Sequence, residues 1–156
     1  MKSDNQDKSV DTAVKKPGAV GGQRIPNPSD IDRYTDNEDQ TVTDKNTGLI
    51  WQQNTTSGLS LSEATSYIDE LNKKDSSTWR LPTMPELAML CDRSLSSPAV
   101  DQKYFPSLSV DKYWTSSTLS SGGRQWYVDM SSGMTTYDEP EINHAIILVR
   151  TMDEKN

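Results

Sequence analysis

The stretch WRLPTMPELAMLC, residues 79–91, decides the fold, because it joins a strand-like segment directly to the start of a helix. Residues 79–82 have the aromatic and aliphatic character of a strand, and Thr83 with Glu86 forms a capping box. Pro85 is tolerated in the first turn, where a backbone N–H would have no helical partner. The sequence therefore predicts a short amphipathic helix. Its apolar face is predicted to hold Met84, Leu87, Leu90 and Cys91.

A longer helix is predicted upstream of this stretch. Ser60 and Glu63 form another capping box, and apolar residues follow at spacings of three and four. These residues are Leu61, Ala64, Ile68 and Leu71. We expect the helix to end before the polar loop at residues 72–78. Because both predicted helices are amphipathic, each is expected to cover one side of a sheet.

Short β-rich segments precede the helices. Residues 33–35 and 41–43 flank the polar residues 36–40, and the turn sequence at 44–48 leads into residues 49–51. Apolar and β-branched segments separated by turn residues in this way are typical of hairpins. We therefore predict successive hairpins before the first helix.

The last third of the chain is predicted to be β throughout, with strands at 112–118, 125–130, 134–137 and 145–151. In the strand at 125–130, Trp126, Val128 and Met130 alternate with Gln125, Tyr127 and Asp129. This period of two indicates a half-buried antiparallel strand. Residues 145–149 are apolar on both faces and predict a central strand. The whole pattern predicts an α+β domain, with two helices packed on antiparallel sheets.

Composition divides the chain into a tether and one domain. Residues 1–30 contain no aromatic residue and are rich in Pro, Gly and charge, which predicts a disordered tether. Residues 31–152 are predicted to be the folded domain and residues 153–156 a disordered C-terminus. No apolar run approaches the ~20 residues needed to cross a bilayer. The polar first residues are similar to the stalk that follows a removed signal or lipoprotein anchor, so we expect an extracytoplasmic protein whose only link to the membrane is an N-terminal anchor.

Charge excludes some classes of partner. The formal net charge is −7, and residues 31–156 hold eleven basic and nineteen acidic residues, a charge of −8. A body this acidic repels polyphosphate and sulfated glycans, so nucleic acid is not an expected partner.

The residue types that carry catalysis are scarce. Cys91 is the single cysteine, and on an apolar helix face its thiol is expected to be inert. His144 is the single histidine, no Gly-x-Ser-x-Gly motif exists, and His144 is more simply a residue at the start of a strand. One His and one Cys far apart make a poor zinc site. We therefore predict a protein without enzymatic activity, metal or other cofactor.

Several segments, taken in order, resemble those of one bacterial family. They are residues 33–37, 41–44, 47–52, 79–83, 86–87, 113–117, 126–129 and 149–150. Together they are similar to the C-terminal domain of the Legionella collagen-like protein, a domain largely without assigned function. One departure is the turn at Asn37–Gln40, which replaces the family's Asn-Gly-Asp-Gly.

The resemblance implies a C-type-lectin-like fold, in which the first and last strands pair and a loop-rich second half presents the ligand surface. It also implies adhesion and carbohydrate binding, which are known for the family's namesake. Classical lectins of this fold hold calcium with a Glu-Pro-Asn string, which Glu139–Asn143 matches imperfectly. Formylglycine-generating enzymes share the broad fold, which keeps a nucleophilic Cys91 as an alternative.

We expect a binding module that recognises a glycan or a protein at the cell envelope. The alternative is a structural or assembly domain of a surface complex, with no small-molecule ligand. Tyr127 and Asp129 are expected to face away from the side of Trp126 and Val128. The conspicuous Trp79 and Trp114 are interpreted as core residues rather than as a sugar platform. The predicted ligand-binding residues are Arg124, Tyr127, Asp129, Tyr137, Asp138 and Glu139.

Overall fold

The structure, a computed structural model, describes residues 33–120 and 122–152. The predicted tether at residues 1–30, the first two residues of the predicted domain and the predicted C-terminus at 153–156 lie outside the described residues. Within the described part of the chain, two helices and nine strands form two mostly antiparallel sheets. This arrangement confirms the prediction of an α+β fold. No helix in this part is long and apolar enough to cross a bilayer.

The elements follow one another along the chain in a simple order. The strands before the helices are β1 (Tyr34–Asp36), β2 (Thr41–Asp44), β3 (Leu49–Gln52) and β4 (Thr56–Leu59). The helices are α1 (Leu61–Asp75) and α2 (Met84–Leu90). The remaining strands are β5 (Lys112–Thr118), β6 (Gln125–Asp129), β7 (Met134–Asp138), β8 (His144–Ile146) and β9 (Val149–Thr151).

The first sheet contains the predicted hairpins. Its strand order is β1-β2-β3-β9, and all neighbours are antiparallel. Gly48 turns the chain between β2 and β3 with a φ of 77°, a conformation that glycine adopts without strain. The last strand pairs with β3, where Trp51 lies opposite Val149, and not with the first strand β1. The expected pairing of first and last strands is therefore replaced by a pairing of third and last.

The second sheet has the strand order β4-β8-β5-β6-β7. The prediction of one central strand at 145–151 is wrong, because the chain leaves this sheet after β8 and enters the first sheet as β9. Ile147 and Leu148 make the crossing and pack into two different core clusters. Residues 145–149 are therefore apolar because this segment passes between the two core clusters. β4 was not predicted, since its sequence TSGL has no apolar alternation.

Both helices begin where the sequence predicts. The Ser60–Glu63 and Thr83–Glu86 capping boxes each have both of their reciprocal hydrogen bonds. α1 continues to Asp75, past the predicted end, and stops at Ser76, whose left-handed φ of 51° terminates it. The polar composition of this final turn resembles that of a loop, but its two lysines suit the negative end of a helix dipole.

The core lies on both faces of the second sheet. Tyr113 belongs to one buried cluster and its neighbour Trp114 to the other, as alternation along β5 requires. α2 contributes Leu87 to the first cluster, and α1 contributes Ile68 to the second. Each helix therefore covers one side of the sheet, as predicted. The core interpretation of Trp79 and Trp114 is confirmed, since both are buried.

Candidate ligand-binding surface

Strand β6 is buried on both faces at its centre, where Tyr127 and Val128 are both buried. Tyr127 does face away from Val128, as predicted, but its exposed fraction is only 8%, so it is buried and not a surface residue. Its ring lies 4.7 Å from the ring of His144 and 6.5 Å from that of Trp114, measured between centroids. The half-buried prediction was wrong because β6 is an internal strand whose second face is covered by the cluster under α1. Tyr127 therefore packs beneath the candidate ligand-binding surface and does not present its ring to a ligand.

The register of β6 and β7 separates the other predicted residues into two groups. Trp126 lies opposite Tyr137, whereas Gln125 lies opposite Asp138 and Asp129 opposite Met134. Directly opposed residues share a face, and successive residues alternate between faces. Tyr137 is therefore on one side of the sheet, and Asp129 and Asp138 are on the other.

We call the first group the aromatic patch: Arg124, Trp126, Tyr137 and Glu139. Tyr137 is 40% exposed, and its ring meets that of Trp126 edge-on, with centroids 5.4 Å apart. The guanidinium carbon of Arg124 lies 5.1 Å from the Tyr137 ring centroid. Its Nε is 3.9 Å from Oε2 of Glu139. The patch thus combines an exposed aromatic ring with one cationic and one anionic group.

The second group lies in an open groove on the opposite face, which we call the acidic groove. Its cavity volume is about 450 Å³. Its charged and titratable residues are Asp111, Lys112, Asp129, Asp138 and His144, and its other lining residues are Val110, Ile142 and Asn143. Lys112 lies directly opposite Asp129 on the neighbouring strand. Three carboxylates against one ammonium group leave the groove negative.

His144 forms the floor of this groove. Its side chain is 6% exposed, and Nε2 lies 3.2 Å from Oδ2 of Asp138. Because a carboxylate only accepts hydrogen bonds, Nε2 carries the proton and donates it. Burial lowers the pKa of His144 and outweighs the opposing effect of Asp138. The imidazole is therefore neutral at pH 7.

Asp129 is held at the groove edge by the turn that follows β6. Its Oδ1 accepts hydrogen bonds from the backbone N–H of Ser131 at 2.9 Å and from the Ser131 hydroxyl at 2.7 Å. Burial alone would raise the pKa of Asp129, but these bonds and the charge of Lys112 together lower it. Asp129 is therefore a fixed carboxylate at pH 7.

Cys91 belongs to neither the aromatic patch nor the acidic groove and lies at the C-terminal cap of α2. Burial raises the pKa of its thiol to about 11, despite the nearby charge of Arg93. Its Sγ contacts the Leu87 carbonyl oxygen at 3.6 Å and Met130 Sδ at 3.7 Å. The thiol therefore has the environment of a core group.

Metal ligands do not converge in the described part of the chain, where no three His, Cys, Asp or Glu side chains are grouped to hold an ion. In the segment that resembles a lectin calcium string, Asp138 is bonded to His144 and the carbonyl oxygen of Pro140 accepts the backbone N–H of Leu61. Hydrogen bonds therefore connect this loop and the residue before it to α1 and β8.

The sequence alone does not place Asp111, Lys112, Asn143 and His144 next to the predicted residues. His144 does begin a strand, as predicted. Its approach to Asp111 and Lys112 depends on the parallel pairing of β5 with β8, which joins Tyr113 to Ala145. The one available signal was the single histidine, six residues after Asp138 across a turn.

These features define a small α+β domain with surface sites built on the second sheet. The family model described as the Lcl C-terminal domain matches residues 40–150, which contain both helices, the aromatic patch and the acidic groove. The chain belongs to the Lcl C-terminal domain family, as its sequence resemblance predicted. A comparison with curated proteins found no match.

Proposed function

We propose that this chain is a non-enzymatic binding module that recognises a glycan or a protein at the bacterial cell envelope through its aromatic patch. Tyr137 carries the proposal, because its exposed ring is held by Trp126 and flanked by charged groups. The proposal includes the C-type-lectin-like fold, with its implied adhesion and carbohydrate binding, and an extracytoplasmic position reached through a tether or lipoprotein anchor.

The chemistry of the patch suits a ligand with both apolar and polar faces. An aromatic ring contacts the C–H face of a sugar or an apolar side chain, while nearby donors and acceptors fix its orientation. Arg124 supplies donors and Glu139 supplies acceptors, and they are only weakly paired, with 3.9 Å between Nε and Oε2. Since an exposed ion pair contributes only about 0–1 kcal/mol, a ligand can separate these groups at little cost.

The residues with catalytic potential support the non-enzymatic part of the proposal. The Cys91 thiol is protonated at neutral pH, since its pKa is raised to about 11. The His144 imidazole is bonded to Asp138, and its ring packs against Trp114 with centroids 4.5 Å apart. Among the residues that the structure describes, neither side chain is hydrogen-bonded in a nucleophile and base pair.

Binding to an array of neutral oligosaccharides and to an immobilised envelope-protein fraction tests the proposal. Tyr137→Ala is expected to weaken the binding of the full chain by about tenfold, since an aromatic anchor contributes on the order of 1–2 kcal/mol. Tyr67→Ala is the matched control, because Tyr67 is 41% exposed and lies on α1. Equal binding by the two variants would show that the aromatic patch is not the binding surface.

An assembly role is the second candidate, and the position of β7 favours it. Among the described strands, β7 is the last of the second sheet, and its five residues pair in unbroken register with β6. Such a regular edge offers unpaired backbone groups to another strand. Native mass spectrometry of the purified chain with and without envelope extract distinguishes the roles: a stoichiometric complex that Met134→Pro abolishes and Tyr137→Ala leaves intact favours assembly.

A further inference from the structure

The acidic groove has a negative charge that its own residues do not neutralise. Asp111, Asp129 and Asp138 line it, and Lys112 is the single basic residue among its lining residues. The Nζ of Lys112 lies 5.8 Å from the ring centroid of Tyr127. The groove therefore already holds one basic side chain over an aromatic ring, with carboxylates around it.

His144 adds an independent indication of the ligand's chemistry. Its side chain is buried, its Nε2 bonds to Asp138, and the described residues supply no hydrogen-bond partner for Nδ1. Nδ1 is not among the fully buried side-chain atoms without partners, which in the described chain are Thr47 Oγ1 and Trp51 Nε1, so it keeps some solvent exposure in a residue that lines the groove. With Nε2 protonated in a neutral imidazole, Nδ1 is an acceptor. The lining of the groove thus offers an acceptor to a donor.

The rim of the groove is apolar on one side. Val110 and Ile142 line the groove and are both about half exposed, at 51% and 45%. Exposed aliphatic side chains next to carboxylates suit a ligand whose charged end is carried on an apolar stem. A lysine side chain has this form, as Lys112 itself illustrates.

We propose that the acidic groove binds a basic side chain, lysine or arginine, presented by a partner peptide. Its ammonium or guanidinium group donates to Asp129 and to Nδ1 of His144, and its aliphatic stem lies against Val110 and Ile142. This site goes beyond the proposed function, because it lies on the face of the second sheet opposite the aromatic patch.

Two-dimensional ¹H–¹⁵N NMR of the full chain tests the proposal with small probes. Titration with Nα-acetyl-lysine N-methylamide is expected to shift the amides of Asp129, Asp138 and His144 together, with millimolar affinity. The uncharged Nα-acetyl-norleucine N-methylamide has the same stem and is expected to shift them little. Equal shifts with both probes, or no shifts with the lysine probe, would overturn the proposal. Tighter binding of calcium chloride or of free 1,4-diaminobutane would likewise overturn the assignment to a peptide side chain.

Two substitutions in the groove are expected to act in opposite directions. Asp129→Asn keeps the turn with Ser131, because Asn accepts the same bonds, and should weaken lysine-probe binding by about fivefold. Lys112→Met removes the resident cation but keeps the stem, and should strengthen binding by a similar factor. Asp69→Asn and Lys73→Met, on the exposed side of α1, change the net charge equally and serve as controls. If each control changed the affinity for the lysine probe as much as its groove variant does, the affinity would depend on net charge alone. That result would contradict a site in the groove.

Discussion

His144 Nε2 donates to Oδ2 of Asp138 across 3.2 Å, and this bond joins the end of β7 to the start of β8. It also selects the tautomer of the only histidine and leaves its second nitrogen, Nδ1, as an acceptor. The two residues are separated by a loop that contains Pro140, whose carbonyl oxygen accepts a hydrogen bond from α1. One pair of side chains thus connects an edge strand, an inner strand and the groove floor.

Replacing Asp138 by Asn should change both the tautomer and the pKa of His144. The carboxylate raises the pKa of His144 against the lowering effect of burial, so its removal should lower that pKa further. The Asn amide can donate to Nε2, which would move the proton to Nδ1. Imidazole ¹⁵N shifts followed against pH measure both quantities, with Asp69→Asn as control. An unchanged tautomer and pKa would show that the bond does not control the ring.

The stability of the domain should fall as the pH drops below about 6.5. The folded-state pKa of His144 is lower than its ordinary value of 6.5, so the unfolded chain binds the proton more strongly. The loss of unfolding free energy begins near the pKa that His144 has in the unfolded chain. It is complete below the pKa that His144 has in the folded chain. Asp129 and Glu86 also have lowered pKa values, but their contributions are lost only below their ordinary values of 3.8 and 4.5.

Urea unfolding at pH 7.5 and pH 5.5 therefore isolates the contribution of His144. The wild-type chain should lose more unfolding free energy between these pH values than His144→Gln, which cannot titrate. An equal loss in both chains would contradict the direction of the His144 pKa shift.

The two capping boxes should contribute unequally to stability. Glu86 of α2 bonds the backbone of Thr83 and also pairs with Arg80, with oxygen–nitrogen distances of 2.9 and 3.1 Å. Glu63 of α1 bonds the backbone of Ser60 alone among the described residues. We expect Glu86→Ala to cost about 1–2 kcal/mol and Glu63→Ala about 0.5–1 kcal/mol, because the first removes a cap and a partly exposed ion pair.

Chemical denaturation of both variants measures this difference. A larger loss in Glu63→Ala than in Glu86→Ala would show that the Arg80 pair adds nothing to the cap.

Cys91 should react slowly with thiol reagents in the folded chain. A pKa of about 11, against an ordinary value of 9.0, leaves the thiol with roughly a hundredth of the usual thiolate at pH 8. Because the folded chain holds the thiol proton more tightly than the unfolded chain does, the free energy of unfolding falls as the pH rises above 9.0. Labelling with a chromogenic disulfide before and after denaturation in urea measures the protection. Rapid labelling of the native chain would favour the alternative of a nucleophilic cysteine.

The elements that were predicted correctly depend on local chemistry. A capping box joins residues three apart, so the starts of α1 and α2 are visible in the sequence. Hairpin turns are local in the same sense, and β1, β2 and β3 were expected where they occur. The fold class follows from these elements alone.

The errors arise where distant segments decide the environment. Tyr127 alternates with apolar neighbours as an exposed residue would, but α1 and β8 cover that face. Residues 145–151 look like one strand because both neighbouring cores are apolar. The predicted ligand-binding residues do not form one surface, because β6 and β7 place Tyr137 on one face and Asp129 and Asp138 on the other.

A crossed comparison of Tyr137→Ala and Asp129→Asn tests most directly whether the chain has two separate binding surfaces. Each variant is measured against the best-bound ligand of the oligosaccharide and envelope-protein screen and against Nα-acetyl-lysine N-methylamide. We predict that Tyr137→Ala weakens binding of the first about tenfold and leaves the second unchanged, and that Asp129→Asn weakens binding of the second about fivefold and leaves the first unchanged. Weaker binding of both ligands, or of neither, in each variant would contradict the division of function between the faces of the second sheet.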